Sequence, residues 1–450
     1  MSAVLTATPT CILMPGDPGW DDARQAWNLA VEQHPAAVAL ACSAQQVADV
    51  VRFARRHGLR VAAQGTGHNP APLGLLADTI LVKTAAMRLV SIDPAARIAR
   101  AEAGVLWREV AEAAAEHGLA ALAGSSPDVG VTGYTIGGGI SRLSRAYGLA
   151  ANNVEAIEVV TADGRIVRTD ACTEPDLFWA LRGGGGSFGV VTAIELRLFP
   201  ITEVYAGLLW WPGEAAAEVL QAWRQLTQSG LPDEFTSSAR VAHFPAASGV
   251  PEHLRGRSFT IITVSHLGTP AEADALLAPL RAQHPVTDTI QMIPAEALGH
   301  VHLDPEQPTP SVGDGLMLAR LTAEAIDTLV RVARPPLLAA ELIHIGGEMK
   351  RARPASGALA AIDADYALLA VGLAPFPQAA SAVACSVAEL QTAMSPWAAR
   401  QMYLNLADTR RDPATFWTPQ AYDRLRHIKA AVDPGNLIRS NHPVPLYQQD

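Results

Sequence analysis

Short apolar runs alternate with amphipathic stretches through the first two hundred residues, and this alternation predicts strands interleaved with helices. Apolar spacing typical of a helix runs from Asp21 to Glu32. The stretch "VALACSAQQVADVVRFARRHG" predicts a strand, followed by a helix that begins after Ser43 and ends at Gly58. Farther on, "VEAIEVVTADGRIVRTD" alternates apolar and polar positions on both sides of Asp163-Gly164, the pattern of a β-hairpin. The region is therefore predicted to be α+β.

The pattern changes after Pro200. Longer strand-like runs such as "YAGLLWW", "SFTIITVSHL" and "ALLAVGLAPF" alternate there with alanine-rich helical stretches such as "AAAEVLQAWRQLTQSG". This change predicts a second unit over residues 201–395, built on an antiparallel sheet. The last segment, 396–450, carries one more helical stretch, "AYDRLRHIKAAVD", with a proline stop. We expect this segment to return to the first unit, residues 1–200.

Composition narrows the class of protein. With 450 residues the chain is long enough for two or three domains, and 49% apolar residues supply their cores. A net charge of −10 disfavours nucleic-acid binding, which needs basic surfaces. The four cysteines lie far apart and predict neither a disulfide framework nor a cysteine zinc site. Because the N-terminus lacks a signal-peptide pattern and no apolar run reaches about 18 residues, we expect a cytoplasmic protein with no membrane partner. We also expect it to be a monomer or a homodimer.

Glycine-rich turns supply the first candidate chemistry. The stretch "AQGTGHN" follows a strand-like run and places Gly65 and Gly67 next to His68. Two further runs, Gly137 to Gly139 and Gly183 to Gly186, allow the backbone to approach a large phosphorylated cofactor closely. Neither G-x-G-x-x-G between a strand and a helix nor the Walker sequence is present, which disfavours the usual nicotinamide and nucleoside-triphosphate sites. The histidine is not needed for binding phosphate.

Several longer motifs resemble one flavoprotein family. These are "QGTGHN", "SPDVGVTGYTIGGGISRLSRAYGLAANNVEAIEVVTADGRIV", "EPDLFWALRGGGGSFGVVTAIELRLFP" and "YDRLRHIKAAVDPGNLIRSNHPVP". In this order they resemble the berberine-bridge-enzyme-like FAD-linked oxidases of the vanillyl-alcohol oxidase and p-cresol methylhydroxylase superfamily. The resemblance implies a two-part FAD-binding domain of the p-cresol methylhydroxylase type, made of residues 1–200 and 396–450. It also implies a substrate domain, 201–395, with an antiparallel sheet flanked by helices.

The resemblance further implies how FAD is held. His68 matches the histidine that bonds covalently to the flavin 8α-methyl group, and a neutral imidazole is a competent nucleophile near neutral pH. Many relatives add a cysteine link at the position of Ser126, and a hydroxyl is a far weaker nucleophile, so we predict attachment through His68 only. Other cofactor contacts are implied at Gln64, Gly65, Thr66, Gly67, Asn69, Ser126, Gly130, Thr132, Gly133, Gly137, Gly138, Gly139, Asn153, Gly189, Val191, Asn405 and Asn441.

The catalytic base is less clear from the sequence. Relatives often carry Y-x-N-Y near the C-terminus, whereas this chain reads Tyr403-Leu404-Asn405-Leu406, so the second tyrosine is absent. Tyr403 is one substitute, and "AAELIHIGG", which resembles the strand facing the flavin, offers Glu341 and His344 on opposite faces. Alternatively, the substrate loses its proton without help. A family stretch "FPHR" is also missing, which predicts an unusually apolar substrate pocket.

The leading hypothesis is an FAD-dependent oxidoreductase. It takes a hydride from the C–H next to an alcohol or amine of a small, largely apolar metabolite, with dioxygen as the acceptor and hydrogen peroxide as the product. Since the second tyrosine is missing, a flavin-retaining cyclase, isomerase or lyase without net oxidation is the alternative. A non-catalytic binding protein on a degenerate flavin fold is a third hypothesis, which the intact glycine motifs disfavour. We expect no metal, because His300 and His302 have no convincing partner ligands in the sequence.

Overall fold

Three β-sheets organise the chain in the computed structural model, which describes residues 9–447. The first sheet lies at the N-terminal end and is parallel in its centre, where apolar strands are covered on both faces. Its strands, in spatial order, are Ile12–Leu13, Ala37–Leu40, Thr79–Lys83, Arg60–Gln64 and Ile438–Arg439. Residues 1–8, which begin the N-terminal stretch without a signal-peptide pattern, lie outside the described residues.

The other two sheets are antiparallel. The second sheet contains, in order, Val90–Asp93, Ile98–Glu102, Val190–Arg197, Val154–Val160 and Ile166–Thr169. The third sheet is the largest and contains, in order, Thr287–Asp288, Glu203–Pro212, Ser258–His266, Phe235–His243, Ala339–His344, Tyr366–Leu373 and Ser311–Leu318. An eighth strand, Gln291–Pro294, also pairs with Glu203–Pro212. The predicted hairpin at Asp163-Gly164 is confirmed, because Val154–Val160 and Ile166–Thr169 pair directly.

Helices begin and end largely where the sequence signals lie. Ser43, for example, accepts a hydrogen bond from the backbone N–H of Gln46 at the start of its helix. The α-helices are Trp20–Ala23, Ala44–Arg56, Trp107–Ala115, Val131–Ile136, Ser144–Tyr147, Pro175–Leu181, Ala216–Thr227, Pro270–Arg281, Ala323–Val332, Pro377–Met394 and Pro419–Val432. Short 3₁₀ turns at Gly347–Lys350 and Leu404–Leu406 lie close to the candidate site.

The largest sheet is covered by helices on one face only. Alternate strand residues such as Leu342 and Leu368 pack with these helices in one apolar core. The helices involved are Ala216–Thr227, Pro270–Arg281, Ala323–Val332 and Pro377–Met394. On the opposite face, Ile343 packs against the core of the FAD-domain side of the chain, which includes Tyr403 and Leu359. The helix-free face of the sheet therefore borders the glycine-rich segments.

The C-terminal segment pairs with the N-terminal sheet. Ile438–Arg439 runs parallel to Arg60–Gln64, directly before the turn that carries His68. Strands up to Val190–Arg197 belong to the first two sheets, and those from Glu203–Pro212 to Tyr366–Leu373 belong to the third. We propose that domain boundaries fall near residues 200 and 395, where this sheet membership changes.

One predicted helix is wrong. The apolar spacing from Asp21 to Glu32 predicts a continuous helix, but the helix is only Trp20–Ala23. Beyond it, the backbone N–H of Trp27 donates to the carbonyl of Thr66 (3.0 Å), and that of Asn28 donates to the carbonyl of Gly67 (3.1 Å). These long-range hydrogen bonds replace helical ones and hold the segment against the glycine-rich turn.

Candidate functional site

His68 lies on a turn, and contacts with Trp27, Thr66 and Ala26 hold its side chain and the turn in place. Its imidazole stacks on Trp27 with ring centres 4.2 Å apart, and its Nδ1 lies 2.8 Å from the hydroxyl of Thr66. Gly67 has φ +84° and a Cβ there would lie 2.9 Å from that of Ala26, so only glycine fits without strain. The ring is therefore fixed in orientation on a rigid turn.

The other imidazole nitrogen of His68 faces a carboxylate. Nε2 is buried and makes no hydrogen bond, and Oδ1 of Asp128 is 3.5 Å away. Asp128 also accepts hydrogen bonds from the hydroxyl of Ser126 (2.8 Å) and the indole N–H of Trp27 (2.5 Å). Burial alone would raise the pKa of Asp128, but its attraction to His68 and these hydrogen bonds bring it below the usual value. Asp128 is thus an anion beside the predicted flavin anchor.

The glycine-rich segments leave room for a cofactor. A Cβ at Gly133 would meet nothing within 4 Å, and one at Gly130 would come no closer than 3.6 Å to any neighbour. Beside them, the hydroxyls of Thr132 and Thr135 are buried without a hydrogen-bond partner. Polar groups buried in this way need an external partner. Together with the unpaired nitrogen of His68, these residues fit a large polar cofactor such as FAD.

The second glycine run packs tightly against the C-terminal segment. A Cβ at Gly137 would lie 1.9 Å from Oδ1 of Asn405, and a Cβ at Gly138 would lie 2.8 Å from the ring of Tyr403. Asn405 also donates to the carbonyl of Tyr134 (2.9 Å). These glycines are required where the run Gly137 to Gly139 packs against the C-terminal segment.

Other predicted cofactor residues have structural partners of their own. Gln64 is buried and bonds to Gln33 (3.0 Å), and Asn153 donates to the carbonyl of Tyr147 (2.9 Å). The side-chain amide of Asn69 donates to the carbonyl of Ala407 (3.0 Å), and the backbone carbonyl of Asn69 accepts from Asn441. Further predicted contacts lie in tight or buried positions at Gly139, Gly189 and Val191, whereas Gly65 is half-buried with ordinary contacts. Their contact with FAD stays a prediction.

A buried cluster of charges lies on the helix-free face of the largest sheet. Both carboxylate oxygens of Glu341 lie 2.9 Å from Nε2 of His302, whose Nδ1 is 2.6 Å from Asp304. Arg240 donates to the carbonyl of His302 (2.7 Å). Burial opposes charge on Glu341, but His302 outweighs it and lowers the pKa of Glu341 to about 2. Burial likewise opposes charge on His302, yet its pKa is raised above the usual value by Glu341 and Asp304.

Two adjacent serines join the clusters. Ser126 donates to Asp128 beside His68, whereas the hydroxyl of Ser125 donates to Asp304 (3.1 Å) in the charged cluster. The predicted flavin anchor and the predicted base Glu341 therefore belong to one continuous site.

The other two predicted bases are placed differently. His344 lies on the helix side of the sheet, near Tyr366 and 3.5 Å from Arg145, and burial together with Arg145 lowers its pKa to about 3. It does not meet Glu341. Tyr403 is buried against Gly138, its hydroxyl accepts from Asn405 (3.2 Å), and burial raises its pKa above the usual value. Of the three predicted bases, Glu341 alone pairs directly with a group of opposite charge among the described residues.

Several residues of the site escaped the sequence reasoning. Asp128 and Asp304 are single aspartates in loops, and the sequence suggests His302 only as a metal ligand. Asp408 is partly buried beside Asp314, and burial followed by repulsion from Asp314 raises its pKa to about 7. The spacing His302-x-Asp304 was the one local signal for the charged cluster. A sequence shows none of the partners, which come from distant segments.

Comparison with known proteins supports the flavin assignment. A family model described as an FAD binding domain matches residues 35–170, and one described as berberine and berberine like matches residues 402–445. The chain belongs to the berberine-bridge-enzyme-like branch of the vanillyl-alcohol oxidase and p-cresol methylhydroxylase flavoproteins. The α+β fold with antiparallel sheets is confirmed, and the chain is an FAD-linked oxidoreductase.

Similar proteins within this branch span the whole chain. (R)-6-hydroxynicotine oxidase of Paenarthrobacter nicotinovorans is 29% identical over 97% of this chain and 98% of its own. The crystal structure of 6-hydroxy-D-nicotine oxidase from Arthrobacter nicotinovorans aligns with a TM-score of 0.81, at 26% identity over 99% of this chain and 100% of that one. Berberine bridge enzyme from Eschscholzia californica shares the fold, with a TM-score of 0.82, at 20% identity over 98% of each chain. Within residues 9–447, no helix is long and apolar enough to cross a membrane.

Proposed function

We propose that this flavoprotein is an oxidase acting on the C–H next to an amine or alcohol of a small metabolite. The observation that carries the proposal is the Ser125-Ser126 link between the His68 cluster and the Glu341 cluster. FAD, when bound, supplies the hydride acceptor, and dioxygen is the proposed final acceptor, giving hydrogen peroxide. The chain's own residues hold the cofactor, orient the substrate and take up a proton.

In this proposal FAD is held covalently through His68 alone. Trp27 and Thr66 fix the ring, and Asp128 stabilises positive charge on it during bond formation. Ser126 is already engaged with Asp128 and is an alcohol rather than a thiol. It is therefore a hydrogen-bond donor in the site and not a second tether.

Glu341 and His302 act together as the proton acceptor. Coupled groups share their protons, so the pair and not one residue sets the pH dependence. While His302 is protonated, the pair cannot accept another proton, because the ionised Glu341 is already paired with the imidazolium. Once His302 has lost its proton, the pair accepts one from a substrate ammonium or hydroxyl group. The structure gives Tyr403 no such partner, and His344 faces the other side of the sheet.

The walls around the pair are mixed in character. Ile343 and Leu369 lie on the same face as Glu341 and provide an apolar surface for the body of the substrate. Arg240 and the cluster around His302 make the rest of the face charged. These charges differ from the unusually apolar pocket that the missing stretch "FPHR" predicts. The proposed substrate is small, with an apolar body and a polar group near Glu341.

Anaerobic mixing tests the proposal. The purified holoenzyme is mixed without oxygen with a panel of small amines and alcohols, and the flavin absorbance near 450 nm is followed. Bleaching by a substrate, followed by peroxide release on admission of oxygen, is the expected result. Product formation without any bleaching would overturn the oxidase proposal.

That second result would favour a flavin-retaining cyclase, isomerase or lyase. One observation supports this alternative: Leu406, in place of a tyrosine, lies directly over the strand residue Gly315, where a Cβ would be 2.7 Å from Leu406 Cβ. An apolar residue there cannot exchange a proton. The buried charges around Glu341 make the oxidase the better-supported function. Cytoplasmic location and oligomeric state stay predictions.

A further inference from the structure

Arg142 is a buried arginine whose guanidinium has no directly paired carboxylate among residues 9–447, although Glu341 and Asp304 attract its charge from a longer distance. It follows the glycine run Gly137 to Gly139, and the hydroxyl of Ser265 donates to its backbone carbonyl (2.9 Å), so it lies on the helix-free face of the largest sheet. The residue is only 9% exposed. Within residues 9–447, its guanidinium makes neither a side-chain hydrogen bond nor a salt bridge, and its Nε is fully buried. A buried, unpaired cation is costly, which points to a ligand that pairs with it.

Two further polar groups on the same face lack partners. Ser238 and Thr263 are opposite each other on neighbouring strands, and Ser238 is two residues from Arg240 and so shares its face. Both hydroxyls are buried without a hydrogen-bond partner among the described residues. Arg240 in turn is directly opposite Glu341. The unpaired guanidinium and hydroxyls therefore border the proposed proton acceptor.

The balance of charge in this part of the site favours one added negative charge. Arg142, Arg240 and protonated His302 are cations, whereas Asp304 and Glu341 are anions. Once the pair has taken up the substrate's proton, so that His302 is protonated, three positive groups against two negative groups leave about one positive charge. A carboxylate neutralises this excess, while a phosphate dianion would leave a net negative charge next to Glu341. The planar carboxylate also matches the two-pronged donor geometry of arginine.

We propose that Arg142, with Ser238 and Thr263, binds a carboxylate group of the substrate. The molecule oxidised is then a small amine or alcohol that carries a carboxylate, oriented with its reacting carbon toward the flavin. This inference rests on the proposed function, since it names the class of molecule that the same site takes. It also replaces the expectation of a largely apolar pocket at this end of the site.

Binding of benzoate and of its uncharged counterpart benzamide to the holoenzyme tests the inference without requiring turnover. Calorimetry gives both dissociation constants, and the flavin difference spectrum reports whether each probe sits near the cofactor. Benzoate is expected to bind at least tenfold more tightly than benzamide, because a hydrogen-bonded charge pair is worth roughly that factor or more. Arg142→Met should abolish this preference and leave benzamide binding within about twofold. Arg142→Lys should retain part of the preference.

Two variants keep the test decisive. Ser238→Ala, a smaller change, is expected to weaken benzoate binding several-fold even where Arg142→Met folds poorly. Arg55→Met, on the exposed face of the helix Ala44–Arg56, removes the same charge far from the sheet and should change nothing. Equal binding of the two probes by the wild type, or an unchanged preference in Arg142→Met, overturns the inference. If carboxylate binding fails in this way but neutral amines bleach the flavin, the proposed oxidase function still stands. If benzoate binds selectively but no substrate bleaches the flavin, the oxidase function is wrong and carboxylate binding by Arg142 still stands.

Discussion

Asp128→Asn tests the proposed covalent tether. The substitution keeps the size of the side chain and removes its charge 3.5 Å from Nε2 of His68. Alkylation of either imidazole nitrogen leaves the ring positively charged until the other nitrogen loses its proton. A carboxylate at that distance stabilises the cation by about 5 kcal/mol at an effective dielectric constant near 20. The side chain of His68 is 24% exposed, so solvent reduces this to about 2 kcal/mol.

Covalent incorporation of FAD into Asp128→Asn is therefore expected to be roughly 30-fold slower than into the wild type. Flavin-free protein is mixed with FAD, samples are denatured in acid at intervals, and flavin fluorescence is measured in the protein band of a denaturing gel. Native gel filtration run in parallel shows whether non-covalent FAD binding is preserved. Ser126→Ala is the matched control, because it removes one hydrogen bond from Asp128 and leaves the charge, so a slowing of less than about fivefold is expected.

His68→Ala should incorporate no covalent flavin at all. If Asp128→Asn incorporates flavin at the wild-type rate, the electrostatic argument is wrong. If denatured wild-type protein releases its flavin, the tether itself is absent. Colour retained by His68→Ala would instead locate the attachment at another residue.

Four further predictions concern the proton acceptor, pH and packing. Glu341→Gln should lower kcat/KM for a substrate by about 10²- to 10⁴-fold with FAD binding unchanged, and a smaller loss would exclude Glu341 as part of the base. In the wild type, kcat/KM should rise as pH increases through the pKa of His302, which lies above its usual 6.5, and His302→Gln should remove that step from the pH profile. Asp408 has a folded-state pKa of about 7 against an ordinary 3.8, so its contribution to stability is lost as pH rises through this interval. Asp408→Asn should accordingly raise the free energy of unfolding, measured by urea denaturation, by about 2 kcal/mol at pH 8 and leave it unchanged at pH 4. The pKa shift alone corresponds to about 4 kcal/mol, and we take half of this value because the residue is partly exposed. Gly137→Ala would place a Cβ 1.9 Å from Asn405, so a loss of about 1 to 3 kcal/mol in stability is expected, and an unchanged melting temperature would contradict the close packing.

Local signals in the sequence predicted most helices and strands but failed where distant segments compete. Ser43 caps its helix because the N-cap interaction lies within a few residues. The stretch from Asp21 to Glu32 has helical spacing, yet Trp27 and Asn28 bond to the turn at residues 66 and 67 instead. Apolar periodicity carries no information about hydrogen bonds offered by a turn about forty residues away.

The sequence by itself determined the cofactor class, because glycine-rich turns, the histidine beside them and the C-terminal motif are local patterns that depend on residue type and spacing. It also placed Glu341 and His344 on opposite faces, since alternation along a strand needs no tertiary information. Only the tertiary structure decided which of them enters the site. The fold brings Asp304 and His302 to Glu341 and leaves the Arg142 guanidinium without a directly paired carboxylate in the part of the chain that the structure describes, since charges far apart in the chain interact only after burial has brought them together.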